Sequence, residues 1–148
     1  MEILAINGER TLLVSGDIDD WDEVWRHRVD TIVDMDGGID PGLPEGPSAP
    51  LYVYFPIADE ELPSLRKLDA LGLLVAQLVR SEHVVLVHCR LGYNRSNLVA
   101  ATALTYLGMS GLQALAHLRS LRPGCLFNQV FARHVESLPA RVLRIETT

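Results

Sequence analysis

Apolar positions along the chain follow two rhythms, and the switches between them lay out alternating strands and helices. Val84-Val85-Leu86-Val87 is a run of branched apolar residues, which suits a strand buried on both faces at the centre of a parallel sheet. It empties into a short polar loop, His88-Cys89-Arg90-Leu91-Gly92-Tyr93-Asn94-Arg95. From Ser96 the pattern restarts as Leu98, Val99, Ala100, Ala101, Ala103, Leu104, Tyr106 and Leu107. That run is apolar nearly all round and predicts a buried helix beginning at the loop's end.

Shorter runs order the rest. Residues 2–6 and 11–14 predict an edge hairpin turning through Asn7-Gly8-Glu9-Arg10. Asp19 or Asp20 is placed to cap a helix through Trp21, Val24, Trp25 and Arg28. Residues 31–35 and 51–55 predict two further strands, separated by the 36–50 loop, whose four glycines and four prolines exclude regular structure. A loop leaving the carboxyl end of a strand belongs beside a site. Next comes a helix with Pro63 in its first turn and an apolar stripe of Leu65, Leu68, Gly72, Val75 and Val79. Gly108 ends the buried helix, and Ser110 with Gln113 reads as a capping box for a packing helix through Leu112, Leu115, Ala116, Leu118 and Leu121. After a turn at Arg122-Pro123-Gly124-Cys125, residues 128–138 predict a last helix with Val130, Phe131, His134, Val135 and Leu138 inward, and 139–148 a frayed tail. The fold class is α/β: one domain over 1–148, with a central, mostly parallel sheet of four or five strands flanked by helices.

Composition narrows the partners. With 48% hydrophobic and 22% charged residues in 148, the chain is an ordinary globular protein of single-domain size. It has no apolar run of membrane-spanning length and no signal peptide at Met1-Glu2-Ile3, so a cytoplasmic monomer is expected. A net charge of −6 argues against nucleic acid or an anionic membrane as partner. Two cysteines make no disulfide framework, which agrees with a reducing compartment. Asp17, Asp19, Asp20 and Asp22 lack the full calcium-loop pattern, and His88 beside Cys89 is no zinc pair, so neither metal nor cofactor is expected.

The loop after residue 87 carries the chemistry. Backbone N–H groups and the positive end of a helix dipole converge there into an anion site. Cys89 in that place is favoured as thiolate, and Arg95 offers a planar fork for two oxygens of a phosphate. Gly92 lets the backbone take positive φ and approach the anion. The hydroxyl of Ser96 is placed to stabilise the sulfur as a leaving group. The competing view of Cys89 is a buried structural thiol. Thirty residues earlier, Pro56-Ile57-Ala58-Asp59-Glu60-Glu61-Leu62-Pro63 brings carboxyls to the mouth of such a site, where a phosphate ester's leaving oxygen needs a proton. Those same carboxylates would otherwise merely favour the next helix's N-terminus.

His88-Cys89-x-x-Gly92-x-x-Arg95-Ser96 resembles the signature loop of cysteine-dependent protein tyrosine phosphatases, and the short chain resembles their dual-specificity branch. The resemblance implies a phosphocysteine mechanism: Cys89 as nucleophile, Arg95 with the loop of Arg90, Leu91, Gly92, Tyr93 and Asn94 as phosphate cradle, and Asp59 as general acid before Glu60 or Glu61. Substrates would be phosphorylated proteins or small phosphate esters. The pair Asn94-Arg95 also resembles RNA 5′-triphosphatases of the same superfamily, which dispense with the acid. A silent phosphoresidue-binding module is the reading from another class.

Overall fold

The run at residues 84–87 does become the middle of a sheet. In the computed structural model, which describes residues 1–143, Val85–His88 (β5) lies between Leu12–Ser15 (β2) and Thr31–Asp34 (β3), parallel to both. Leu51–Tyr54 (β4) extends the sheet parallel to β3, and Ile3–Ala5 (β1) closes the other edge antiparallel to β2. The order is β1-β2-β5-β3-β4, a mixed, mostly parallel five-stranded sheet. Every residue of β2, β3 and β5 is buried, because both faces are covered.

Side chains alternate along β5, and the alternation sorts them between two cores. Val85, Val87 and then Cys89 join the larger core, whereas Leu86 packs into a smaller one with Leu13, Val24 and Ile32. The smaller core lies under Trp21–Arg26 (α1), a helix capped by the Asp20 carboxylate, and under the stacked rings of Trp21 and Trp25. The larger core is roofed by Leu65–Arg80 (α2), Arg95–Tyr106 (α3), Gly111–Leu121 (α4) and Gln129–Glu136 (α5). Every residue of α3 from Ser96 to Thr105 is buried, as its all-round apolar pattern requires. Helices α2 and α3 pack closely at Gly72, where a Cβ would meet Thr102 Cγ2 at 2.4 Å.

Several local expectations are corrected. The hairpin's positive φ falls on Arg10 at 59°, and Asn7 Oδ1 holds the turn by accepting the Thr11 and Leu12 amides, each at 2.9 Å. Ser64, not Pro63, starts α2: its hydroxyl accepts from the Lys67 amide, so Pro63 stands before the cap. Leu65 is exposed in that first turn, and Leu71 and Ala76 complete the buried stripe instead. In α4 the buried face is Gly111, Ala114, Leu115 and Leu118, leaving Leu112 in solvent; Val130 of α5 is likewise exposed. Residues 139–143 are docked where a frayed tail was expected. The Arg141 amide donates to Thr105 O at 2.7 Å, satisfying a carbonyl near the end of α3, while its guanidinium lies over Tyr106 and pairs with Asp69. The rest of that expected tail, 144–148, lies outside the described residues. Among the described residues, no helix is long and apolar enough to cross a membrane.

Candidate active site

Where β5 ends at His88 and α3 begins at Arg95, the chain turns through Cys89 to Asn94. Gly92 sits at φ +73°, and a Cβ there would meet Gly16 N at 2.8 Å, so both conformation and space demand glycine. Its amide donates to Cys89 Sγ at 3.3 Å, and the Cys89 thiol donates to Ser96 Oγ at 3.3 Å. Once the thiol ionises, the Ser96 hydroxyl can rotate from acceptor to donor. Loop carbonyls are engaged elsewhere: Asn97 Nδ2 donates to those of Gly92 and Tyr93 at 2.9 and 3.1 Å, and the Asp17 amide to that of Arg90 at 3.1 Å. The amide side of the turn and the start of α3 are left for an anion.

Arg95 reaches across from the first turn of α3. Its Nη1 alone donates to Met35 O at 3.4 Å, Ile57 O at 3.1 Å and Asp36 Oδ1 at 3.3 Å. Among the described residues neither Nη2 nor Nε makes such a bond, so that edge of the fork is available to two phosphate oxygens. Asp59, on the segment between β4 and α2, accepts from Asn94 Nδ2 at 3.2 Å. Asp59, Cys89, Arg90, Leu91, Tyr93, Asn94 and Arg95 line one cavity of ≈ 180 Å³. That is below the about 300–1,000 Å³ usual for drug-sized ligands and suits a phosphate with the first atoms of its ester. On its rim, Arg122 lies 4.1 Å over the Tyr93 ring, and Phe127 is tilted against the same ring at 6.2 Å. A wider cleft of ≈ 660 Å³, lined by Thr11, Arg80 and Glu82 among others, opens at the amino ends of the strands and has no cysteine in its lining.

No family model matches the chain, and no curated protein matches it. Solved structures do. Tk-PTP in its active form superposes with a TM-score of 0.72 at 28% identity, over 90% of this chain and 95% of that one. The chain is similar over nearly all its length to a protein tyrosine phosphatase and shares the fold of that superfamily. Human DUSP28 superposes with a TM-score of 0.73 at 22% identity, over 90% of this chain and 92% of its own. The human tyrosine phosphatase-like serine/threonine/tyrosine-interacting protein gives 0.73 at 18% over 90% and 93%. At such identities these two likenesses speak to the fold.

Beneath the phosphatase-like loop lie carboxylates that sequence reasoning did not assign to the site. Burial opposes charge on Asp36, but the Gly37 amide, the Arg95 guanidinium and a hydrogen bond from Asp17 together hold it below the usual carboxylate range. Asp17 moves the other way, pushed up by burial and by its hydrogen bond and like charge with Asp36. Asp36 is the carboxylate that faces Arg95. On the far face of β5, His88 Nε2 donates to Asp40 Oδ2 at 2.7 Å and lies 3.6 Å from Asp34 Oδ1. Burial disfavours its charge, yet the hydrogen bond and charge of Asp40, with those of Asp34 and Asp17, raise its pKa. Burial pushes the Asp34 carboxyl up, even though it accepts from the Tyr52 hydroxyl and the Asp36 amide. Asp34, Asp40 and His88 are close enough to converge on a cation, but their facing atoms already serve one another and Tyr52.

The structure therefore brings Cys89, Arg95, Ser96 and Asp59 to one place and leaves Glu60 and Glu61 exposed, outside the cavity lining. Asn128 is both cap and site neighbour: its Oδ1 accepts from the Val130 and Phe131 amides, and its Nδ2 reaches Asp59 O at 3.3 Å. Arg119 turns to the carbonyls of Cys125 and Leu126, away from the cavity. Asn97, Asp36 and Asp40 were missed. The signal for the last two was their place just beyond the carboxyl end of β3.

Proposed function

We propose that this chain is a cysteine-dependent phosphate-monoester hydrolase of the dual-specificity type, with residues 1–148 as its single catalytic domain. The fold alone does not decide this, since it is shared by a structure named as an interacting protein. The observation that carries the reading is the meeting of a thiol and a half-free guanidinium from one loop with a carboxyl from a distant segment around one phosphate-sized cavity. The Cys89 thiolate attacks phosphorus, forming the P–S bond as the ester P–O bond breaks. Loop amides and Arg95 hold the equatorial oxygens, and Asp59 gives its proton to the departing oxygen. Asp59 then takes a proton from water as that water attacks the phosphocysteine, and Ser96 steadies the sulfur as it leaves. The groups invoked need no metal or organic cofactor. Substrates are phosphorylated proteins or small phosphate esters. One chain supplies every residue, which fits a monomer, and a thiolate nucleophile fits a reducing compartment such as the cytoplasm.

The test is a side-by-side panel of aryl phosphates, phosphopeptides, phosphoinositides and an RNA 5′-triphosphate, with wild type and Cys89→Ser. Turnover of monoesters that vanishes in Cys89→Ser, with phosphate binding kept, is the expected result. Cys89→Ser within tenfold of wild type sinks the mechanism. Faster release from the triphosphate than from an aryl phosphate favours the triphosphatase, and a silent wild type with micromolar phosphopeptide affinity favours the binding module.

A further inference from the structure

Asn94 supplied the resemblance to enzymes that work without a general acid. The structure puts it to the opposite use. Its side chain is buried, and its two polar ends serve two different segments. Oδ1 accepts the Asn128 amide at 3.0 Å, and because a backbone N–H can only donate, this fixes which way the Asn94 amide points. Nδ2 therefore faces Asp59 and donates to Oδ2 at 3.2 Å. Asn128 adds its own Nδ2 on the Asp59 carbonyl at 3.3 Å and on Oδ1 at 3.5 Å. Phosphate loop, acid segment and the start of α5 thus meet in one three-way joint.

The acid segment needs such a joint. Ile57 is buried and Leu62 half-buried, but Ala58 to Glu61 between them are exposed, so burial does little to order the Asp59 side chain. A neutral amide orders it without a permanent ion pair. We propose that Asn94, backed by Asn128, is a positioning residue that holds Asp59 over the phosphate site, so that the leaving oxygen meets its proton donor without a separate ordering step. The proposal rests on the reading of Asp59 as general acid.

The experiment uses phenyl phosphate, whose leaving group needs protonation, and para-nitrophenyl phosphate, whose leaving group needs it far less. Wild type, Asn94→Ala, Asn128→Ser and Asp59→Ala are compared, together with each Asn variant in the Asp59→Ala background. Serine at 128 keeps a cap for α5 but is too short to reach Asp59. Both Asn variants should lose about tenfold more in kcat on phenyl phosphate than on para-nitrophenyl phosphate, whatever loss the two substrates share. Added to Asp59→Ala, neither should add selectivity between the two substrates, because the group they position is gone. Equal losses on both substrates, or a selectivity that persists without Asp59, overturn the proposal and leave Asn94 as a phosphate-loop residue only. Asn128→Ser decides the matter should Asn94→Ala not fold. If Asp59→Ala itself spares phenyl phosphate, the acid reading falls and takes the joint with it; if only the Asn variants lack selectivity, the joint alone is refuted.

Discussion

Two segments leave the carboxyl ends of neighbouring strands, one after β3 and one after β4, and both are rich in proline and acid. Their carboxylates end in opposite circumstances. In the 36–50 loop, Asp36 faces Arg95 and Asp40 faces His88, so both aspartates are committed to a cation or a potential cation. On the segment after β4, Asp59 is met by two amides and by the cavity. A carboxylate locked to a guanidinium fixes geometry, whereas one held by neutral donors at the edge of a cavity can exchange its proton with a ligand. The charge of the partner, more than the presence of the acid, separates a positioning role from a chemical one.

The largest effect that would sharpen this contrast lies at the point where the two segments converge, since Arg95 donates to Asp36 of one and to Ile57 O of the other. Arg95→Ala should lower kcat/KM by about 10³–10⁵, the worth of an arginine on a transferring phosphoryl group. Arg95→Lys should do nearly as much damage, because a point charge cannot bond the 36–50 loop with one edge and phosphate with the other. A lysine variant with most of its activity intact would reduce Arg95 to a counter-charge.

Next comes Asp59→Ala, expected to lower the rate by about 10²–10⁴ on esters with poor leaving groups. The loss should shrink as the leaving group becomes more acidic, and the basic limb of the pH–rate profile should flatten. Asp36→Ala should behave differently. It removes a brace for Arg95, so a loss of about tenfold, mostly in KM and independent of leaving group, is expected. Leaving-group dependence in Asp36→Ala with none in Asp59→Ala would invert the comparison.

The readable part of this molecule was local. Cys89 to Ser96 announced itself because thiol, glycine and guanidinium sit within one turn, and β5 because its apolar run has no polar face to show solvent. The capping box of Ser110 and Gln113 was readable for the same reason. What escaped depends on partners far apart in the chain. His88 and Asp40 are 48 residues apart, and Asn94 and Asp59 are 35 apart; neither spacing carries a periodic signal. Residues 139–143 looked like a tail because they begin with a proline and show neither a helical nor a strand period, yet Arg141 finds an open carbonyl, a carboxylate and an aromatic face together. A count of acids in the 36–50 loop could not reveal that Asp36 and Asp40 were committed to cations.

The smallest effect tests that commitment through stability. Asp40→Asn keeps the shape of the side chain at 40 but removes the charge that, with its hydrogen bond, raises the His88 pKa against the effect of burial. His88 binds its proton more tightly folded than unfolded, so this stabilisation is fully present below the unfolded value of 6.5 and disappears as pH rises through the higher folded value. Other groups blur the raw curve. His134 has its pKa lowered by burial and by Arg141, so its contribution runs the other way, lost as pH falls through its folded value; Asp34, pushed up by burial, acts above its ordinary 3.8 in the acid range. Subtracting the Asp40→Asn curve from that of wild type cancels His134, while Asp34, whose pKa the charge of Asp40 also raises, leaves a difference in the acid range. The difference in unfolding free energy should be about 1–3 kcal/mol below the unfolded His88 value, the cost of weakening one buried charged hydrogen bond, and should narrow as pH rises. Denaturant titrations across that range read it directly. A gap that stays level or widens with pH would mean that Asp40 supports the loop by shape alone, and that the 36–50 loop is not latched to β5 through the charge on His88.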